Sequence, residues 1–372
     1  MNMVEWKKLG EVCTNLDYKR KPITSSKRVA GAYPYYGASG IVDYVEDYIF
    51  DGEFLLVSED GANLIARSNP IAFTIQGKSW VNNHAHVLEF DNKITQKFVE
   101  LYLNKIDLSP WINGAAQPKL NQANLNIIGI PVPSLEEQQR IVSILDTFTS
   151  SISNLKQQIE ERRKQYEYER DLLLDLEGKE GVEMKTLKDV FVTRNGYTPS
   201  TKNDEFWEGG TIPWFKMEDI RDNGRILNDS NLHITSKAIK GKGLFRANSI
   251  ILATSATIGE HALITVEHLS NQRFTNFYPQ KGCEDCINMK FVYYYMYIID
   301  EWCKQHINQG GFASVDMGGL YNHPFPLLSI HEQSRIVSIL DTFEQSIANL
   351  EAQLAMREKQ YEYYRNKLLT FE

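Results

Sequence analysis

The sequence predicts an α+β protein in which two related α/β modules alternate with two long helices under internal pseudo-twofold symmetry. Three observations predict it. Residues 134–177 and 329–372 align without a gap over 44 positions at an offset of 195, with 27 identities. Residues 4–12 (VEWKKLGEV) and 182–190 (VEMKTLKDV) echo one another at an offset of 178. The segments between differ by 17 residues (195 minus 178) and have a mixed texture of short apolar runs set off by Gly, Asn and Pro. The boundaries read as 1–133 for the first module, 134–180 for the central helix, 181–328 for the second module and 329–372 for the C-terminal helix.

Within the modules, strands are expected at 53–57 (EFLLV), 71–75 (IAFTI) and Ser249–Ala253 (SIILA). One helix each is expected at 95–103 and 289–299, where KFVELYL aligns with KFVYYYM. The modules also end alike. Ile112-Asn-Gly and a later Ile-Pro-Val-Pro close the first, and Ile307-Asn-Gln-Gly-Gly and a later Pro-Phe-Pro close the second. Two diverged copies of one fold account for this.

Neither copy of the repeated segment contains Pro or Gly. Ser134 and Ser329 stand at N-cap positions with Glu137 and Glu332 three residues on, the pattern of a capping box. Apolar residues then recur at 3-4 spacing: Leu145, Phe148, Ile152, Leu155 and Ile159, then Leu340, Phe343, Ile347, Leu350 and Leu354. That is a coiled-coil seam. A helix of about 40 residues is roughly 60 Å long and cannot bury such a seam on itself, so the two copies are expected to pack together.

Charge then separates helices from modules. The chain has 372 residues, Lys+Arg 40 against Asp+Glu 48, and a net charge of -8. Residues 134–177 hold 6 basic and 10 acidic residues, and 329–372 hold 5 and 7, so six of the eight surplus negatives lie on the helices. The modules carry acid-free windows. Lys19, Arg20, Lys21, Lys27 and Arg28 fall in 18–42; Arg67, Lys78, His84 and His86 in 61–88; Lys237, Lys240, Lys242 and Arg246 in 230–259; Arg273 and Lys281 in 268–283. One such window is ordinarily a solvated loop, but four across two related modules point to a nucleic-acid surface.

Catalytic signals are thin. There is no phosphate-binding G-x-x-x-x-G-K-[ST] loop, G-x-S-x-G elbow or H-E-x-x-H helix. Cys283-Glu-Asp-Cys286 lacks a second pair, and His84-Ala-His86 lacks an obvious third ligand, so no metal is expected. Asn322-His-Pro-Phe325 superficially suggests the N-P-P-[YF] motif of adenine methyltransferases, but His323 replaces the first proline and the segment aligns with the connector before the first helix. No apolar run reaches the roughly 18–20 residues of a membrane span. Four cysteines are too few for a disulfide framework. A soluble, cytoplasmic setting without membrane contact is expected.

The combination of variable module, Pro-containing connector and repeated helix resembles the specificity subunit of type I restriction-modification systems. The carrying residues are EQQRIVSILD at 137–146 and EQSRIVSILD at 332–341. GYTPS at 196–200, WEGGTIPW at 207–214 and KMED at 216–219 look like the opening of a target-recognition domain, with Tyr33-Pro-Tyr-Tyr-Gly37 in the place of Ile212-Pro-Trp214. The resemblance implies that each module reads one half of a bipartite site in double-stranded DNA. It implies that the helices form an antiparallel coiled coil that spaces the half-sites and docks two methyltransferase subunits. It further implies a non-catalytic chain without a cofactor of its own, S-adenosylmethionine, ATP and Mg serving the methyltransferase and the restriction/translocase subunits. Lys19, Arg20, Lys21, Lys78, His84, Lys237, Lys242, Arg246 and Arg273 are then expected to face DNA. Leu145, Phe148, Ile152, Leu155, Leu340, Phe343, Ile347 and Leu350 are expected in the coiled coil that binds partners. The rival is a non-catalytic scaffold or adaptor whose modules bind protein or glycan.

Overall fold

The computed structural model describes residues 4–114, 117–308 and 313–371. It divides into two compact units, Met1–Gln158 with Leu350–Glu372, and Ile159–Asn349. Each long helix is therefore shared: Leu135–Leu174 and Ile330–Leu368 each give their first half to one unit and their second half to the other. Module and helix are not separate bodies in this chain. The structural seam falls in mid-helix.

In the first unit, β1 (Glu5–Lys8) pairs antiparallel with β8 (Gly129–Val132), so the Pro-containing connector is a strand that ties the start of the module to its end. The body is a six-stranded sheet in the order β2-β7-β5-β6-β3-β4. Its strands are β2 (Thr14–Asn15), β3 (Ala30–Gly37), β4 (Gly40–Val45), β5 (Phe50–Ser58), β6 (Ala72–Val81) and β7 (Ala85–Glu89). The helix Lys93–Lys105 is capped by Asn92, whose side chain accepts from the N–H groups of Ile94 and Thr95. Phe98, Val99 and Leu103 of that helix join Leu55, Val57 and Leu88 of the sheet in one apolar core. Ile141, Val142 and Leu145 of the first long helix and Leu369 from the end of the chain complete it.

The second unit repeats the plan. β9 (Glu183–Thr186) pairs with β20 (Pro324–Leu327), which is where Asn322-His-Pro-Phe325 leads. β10 (Phe191–Asn195), β17 (Phe274–Pro279), β14 (Ser249–Ala253), β15 (His261–Ile264) and β12 (Ile226–Leu227) form one sheet. β13 (His233–Ile234), β11 (Ile212–Phe215) and β16 (Leu269–Ser270) form another, and β18 (Ile307–Asn308) pairs with β19 (Ser314–Val315). The Gln309-Gly-Gly stretch expected at this module's end lies outside the described residues. The helix Met289–Gln305 packs into the core through Phe291, Val292, Tyr294 and Met296.

Pairing registers align the two modules residue by residue. Tyr35 and Tyr36 pair in parallel with Trp80 and Val81, as Trp214 and Phe215 pair with Leu269 and Ser270. Tyr33-Pro-Tyr35 thus stands where Ile212-Pro-Trp214 does. Ser58 faces Ala85 as Ala253 faces Phe274. The 17-residue difference is now located: Tyr36 and Ile49 are 13 positions apart, their counterparts Phe215 and Phe245 are 30 apart. Those counterparts follow from matching bonds, Ile49 N–H to Ser79 O and Phe245 N–H to His268 O.

The repeated motif has a local physical basis. Ser134 Oγ accepts from Glu137 N–H at 3.3 Å, and Ser329 Oγ from Glu332 N–H at 3.2 Å. Of the capping box, that half is present, while the carboxylates turn forward to Arg140 and Arg335 at 2.6 and 2.7 Å. The glutamines between are buried. Gln138 donates to Pro133 O, and Gln333 to Leu328 O and Cys286 O, which staples each connector to its helix. An unpaired buried carbonyl is costly, so the Gln is a structural requirement of the junction.

Candidate nucleic-acid interface

Each module has one corner where strand ends and three loops converge. In the first unit, Glu59 N–H donates to His84 O at 2.9 Å, Leu120 N–H to Glu59 O at 2.7 Å and Asn82 N–H to Tyr36 O at 3.1 Å. Asn82 Oδ1 accepts from His84 N–H at 2.8 Å, an Asx turn that sets the residue before β7. In the second unit, Thr254 N–H donates to Arg273 O at 3.0 Å, Val315 N–H to Thr254 O at 2.9 Å and Asn271 N–H to Phe215 O at 3.0 Å. Asn271 Oδ1 accepts from Arg273 N–H at 2.9 Å. All four bonds are reproduced.

In the first corner Asp60, Gly61, Ala62, His84, Gln117, Pro118 and Lys119 line a cavity of about 440 Å³. His84 Nδ1 lies 2.9 Å from both Asp60 carboxylate oxygens. Beneath the corner is a buried charged cluster. Arg20 bridges Asp17 at 3.2 Å and Glu59 at 2.5 Å and donates to Ala85 O. His86 Nδ1 lies 2.6 Å from Asp17, and its Nε2 2.7 Å from Leu120 O, so both ring nitrogens face acceptors. Burial pushes the Asp17 and Glu59 carboxyls up, but bonds and charges from His86, Arg20, Val87 N–H and Lys119 outweigh it and hold both below the usual range. Ligand atoms of Asp17, Glu59 and His86 lie within 4.8 Å of one another. The charge a cation would bring there is already supplied by Arg20 and by Lys119, 3.1 Å from Glu59.

The expected DNA-facing residues therefore divide. Arg20 is corrected: its side chain, 12% exposed, is committed to two carboxylates and cannot reach a phosphate. Lys19, Lys21 and Lys78 are exposed, Lys78 with its ammonium 4.6 Å from the Tyr48 ring centre. Lys237 is exposed beside Glu205 at 3.3 Å, and Lys242 is exposed on the turn after it. Arg246 lies over Tyr278 and 3.7 Å from Glu284, at the opposite end of β17 from Arg273. Arg273 is exposed, and among the described residues no ion pair engages it. The structure thus brings His84 and Lys119 to one corner and leaves Arg273 alone of the expected set at the other. Asp60 and Lys119, which the sequence reading missed, both fall outside the acid-free window 61–88. The sequence does mark the corner itself, by the alignment of Asn82-Asn-His84 with Asn271-Gln-Arg273 at an offset of 189, six short of the helix offset.

The seam is antiparallel in the first unit. Phe148 stacks on Tyr364 at 5.3 Å, and Lys156 pairs with Glu358 at 3.0 Å, one number rising as the other falls. In the second unit Tyr166 meets Phe343 at 6.4 Å and donates to Glu344 at 3.1 Å. Leu145 and Leu340 are buried, whereas Phe148, Ile152, Leu155, Phe343, Ile347 and Leu350 are half-buried.

Comparison with known proteins decides the family. The model of the type I restriction modification DNA specificity domain matches residues 3–162 and again 179–356. The chain belongs to the type I restriction-modification DNA specificity family. A putative type I restriction enzyme specificity subunit of Haemophilus influenzae is 34% identical over 393 residues, covering 99% of this chain and 96% of that one. The EcoprrI specificity subunit of Escherichia coli is 50% identical over 202 residues, 51% of this chain and 50% of that protein. The S subunit from M. genitalium shares the fold with a TM-score of 0.60 at 14% identity, covering 100% of this chain and 98% of that chain. The HsdS subunit from Thermoanaerobacter tengcongensis does so at 0.55 and 17%, covering 99% and 97%. No helix among the described residues of this specificity-family chain is long and apolar enough to cross a membrane.

Proposed function

We propose that this chain is the non-catalytic specificity subunit of a cytoplasmic type I restriction-modification complex, and that each module reads one half of a bipartite double-stranded DNA site. The observation that carries this is the contrast within the repeat. The helices are near-copies, the module frameworks share their backbone bonds, and the exposed corner residues differ. Two copies of one partner require one surface twice, whereas two half-sites require different readers. Lys19, Lys21, Lys78, His84, Lys237, Lys242, Arg246 and Arg273 serve this role, the lysines as phosphate contacts that fix register without reading sequence.

The half-buried seam and the surplus acid of the long helices support docking of two methyltransferase subunits. S-adenosylmethionine belongs to those subunits, and ATP and Mg to the restriction/translocase subunits. The helices set the spacer between half-sites. Sequencing methylated adenines in a strain carrying the chain, and again after its deletion, tests the reading. A bipartite motif should vanish with the gene, and one heptad inserted within residues 155–162 should change the spacer while both half-sites persist. A methylome indifferent to deletion would sink it.

A further inference from the structure

His84 and Arg273 occupy one position of the duplicated fold. Each follows an Asn whose Oδ1 takes its N–H, and each gives its carbonyl to the residue after the central strand. The next residue along, Ala85 or Phe274, is fully buried, so alternation turns residues 84 and 273 outward. The backbone is thus pinned on both sides of an exposed side chain. That is what a sequence-reading group requires, because a loosely held one cannot discriminate between bases by hydrogen-bond geometry.

The side chains differ in what they offer. Arg273 presents a guanidinium fork, and among the described residues no carboxylate occupies it. His84 is half exposed, and Asp60 holds its Nδ1 at 2.9 Å. An ionised carboxylate only accepts, so Nδ1 carries a proton, and in that tautomer of the uncharged ring Nε2 is an acceptor. In the major groove a fork matches O6 and N7 of guanine, and an acceptor matches the amino group of adenine or cytosine.

We propose that residues 84 and 273 are the same base-determining position in the two modules, Arg273 selecting a guanine in one half-site and His84, oriented by Asp60, selecting an amino-bearing base in the other. This rests on the DNA-reading function above. The test is the adenine methylome of a strain expressing the chain with its methyltransferase. With wild-type chain a two-part motif appears; if none does, the parent reading fails rather than this one. Arg273→Ala should make one base of one half-motif degenerate, discrimination there falling by about ten- to a hundredfold, and His84→Ala should do so in the other half only. A uniform drop at all sites with the motif unchanged would mark a phosphate contact and overturn the proposal. So would both variants altering the same half. Should Arg273→Ala silence methylation, Arg273→Gln decides. Adenine replacing guanine supports the assignment, while an unaltered motif or continued silence overturns it.

Discussion

Under the first corner, Asp17, Arg20, Glu59 and His86 form a charged cluster; the matching positions under the second hold Asn195, Thr198, Thr254 and Thr275. Three of these are bonded together, while Thr198, in the place of the bridging Arg20, is exposed and donates to Gln272 instead. Thr275 Oγ donates to Asn195 Oδ1 at 2.9 Å and lies 3.0 Å from Thr254 Oγ. The second unit buries titratable groups elsewhere: His261 lies 2.7 Å from Asp300, which Arg225 also pairs, and His268 stands where the first unit has Ser79, bonded to Asn276 and Val266 O. One backbone framework therefore accepts either ion pairing or hydroxyl-amide bonding in its interior, provided every buried group finds a partner. The fold is specified by where polar groups meet, and the charge they carry is open to change.

The comparison breaks first at Arg20. Arg20→Thr, copying the second unit's residue alone, leaves two carboxylates and a histidine without their bridge and should cost about 3–5 kcal/mol. Converting all four positions together to Asn, Thr, Thr and Thr should cost distinctly less than that single change. Denaturant unfolding of both variants checks this, and a mild single variant would show that the cluster is no unit.

Acid should separate the units next. Burial holds His268 down, from 6.5 to about 4, against smaller opposing bonds from Val266 O and Asn276. The unfolded ring takes its proton near 6.5 and the folded one only near 4, so stability is lost as pH falls between those values, by up to about 3 kcal/mol. Asp17 and Glu59 have depressed values, so their contribution is full above the ordinary carboxylate range and disappears only below it. Hydrogen exchange followed from pH 7 to 5 should therefore show protection falling in residues 159–349 before the first module. Equal slopes in both units would contradict this.

A smaller effect sharpens the likeness of the helices. Phe148→Ala and Phe343→Ala each remove a half-buried ring and should each cost about 2 kcal/mol, below the range for a fully buried aromatic. Thermal unfolding of the pair should give similar shifts, and a large inequality would show that the seams are not equivalent. The smallest effect falls where they differ. Burial raises the Glu344 carboxyl, more than its bonds from Tyr294 and Tyr166 and the charge of Lys290 lower it, while the first helix has Thr149 at that place. Glu344→Gln removes a charge that burial disfavours, so it should be neutral or stabilising by under about 1 kcal/mol at pH 8, read from the unfolding midpoint.

Regions held by periodicity were legible in the sequence. The long helices, the module helices expected at 95–103 and 289–299, and the strand Ser249–Ala253 follow from apolar spacing and from the match between the two copies. The corners were legible only in part, because their residues come from segments far apart in the chain: Asp17, Glu59, His84 and Lys119 meet through tertiary hydrogen bonds that leave no local pattern. Arg20 was misplaced for the same reason. A basic window marks where positive charge is concentrated, and only the fold determines that Asp17 and Glu59 turn Arg20 inward.

The mid-helix boundary also gives the two units different timetables during synthesis. Residues 159–349 are continuous, so that unit can complete its core as soon as its own helix start has emerged. The other waits. Its core takes Leu369, its Lys105 ammonium donates to Leu369 O across 264 positions, and Phe98 meets Phe371 ring to ring at 6.0 Å. Translation at about 5–20 residues per second separates residue 158 from residue 371 by roughly 10–40 seconds. The unit made first is therefore finished last, and during that interval it exposes the apolar groove that the final turns of the chain will fill.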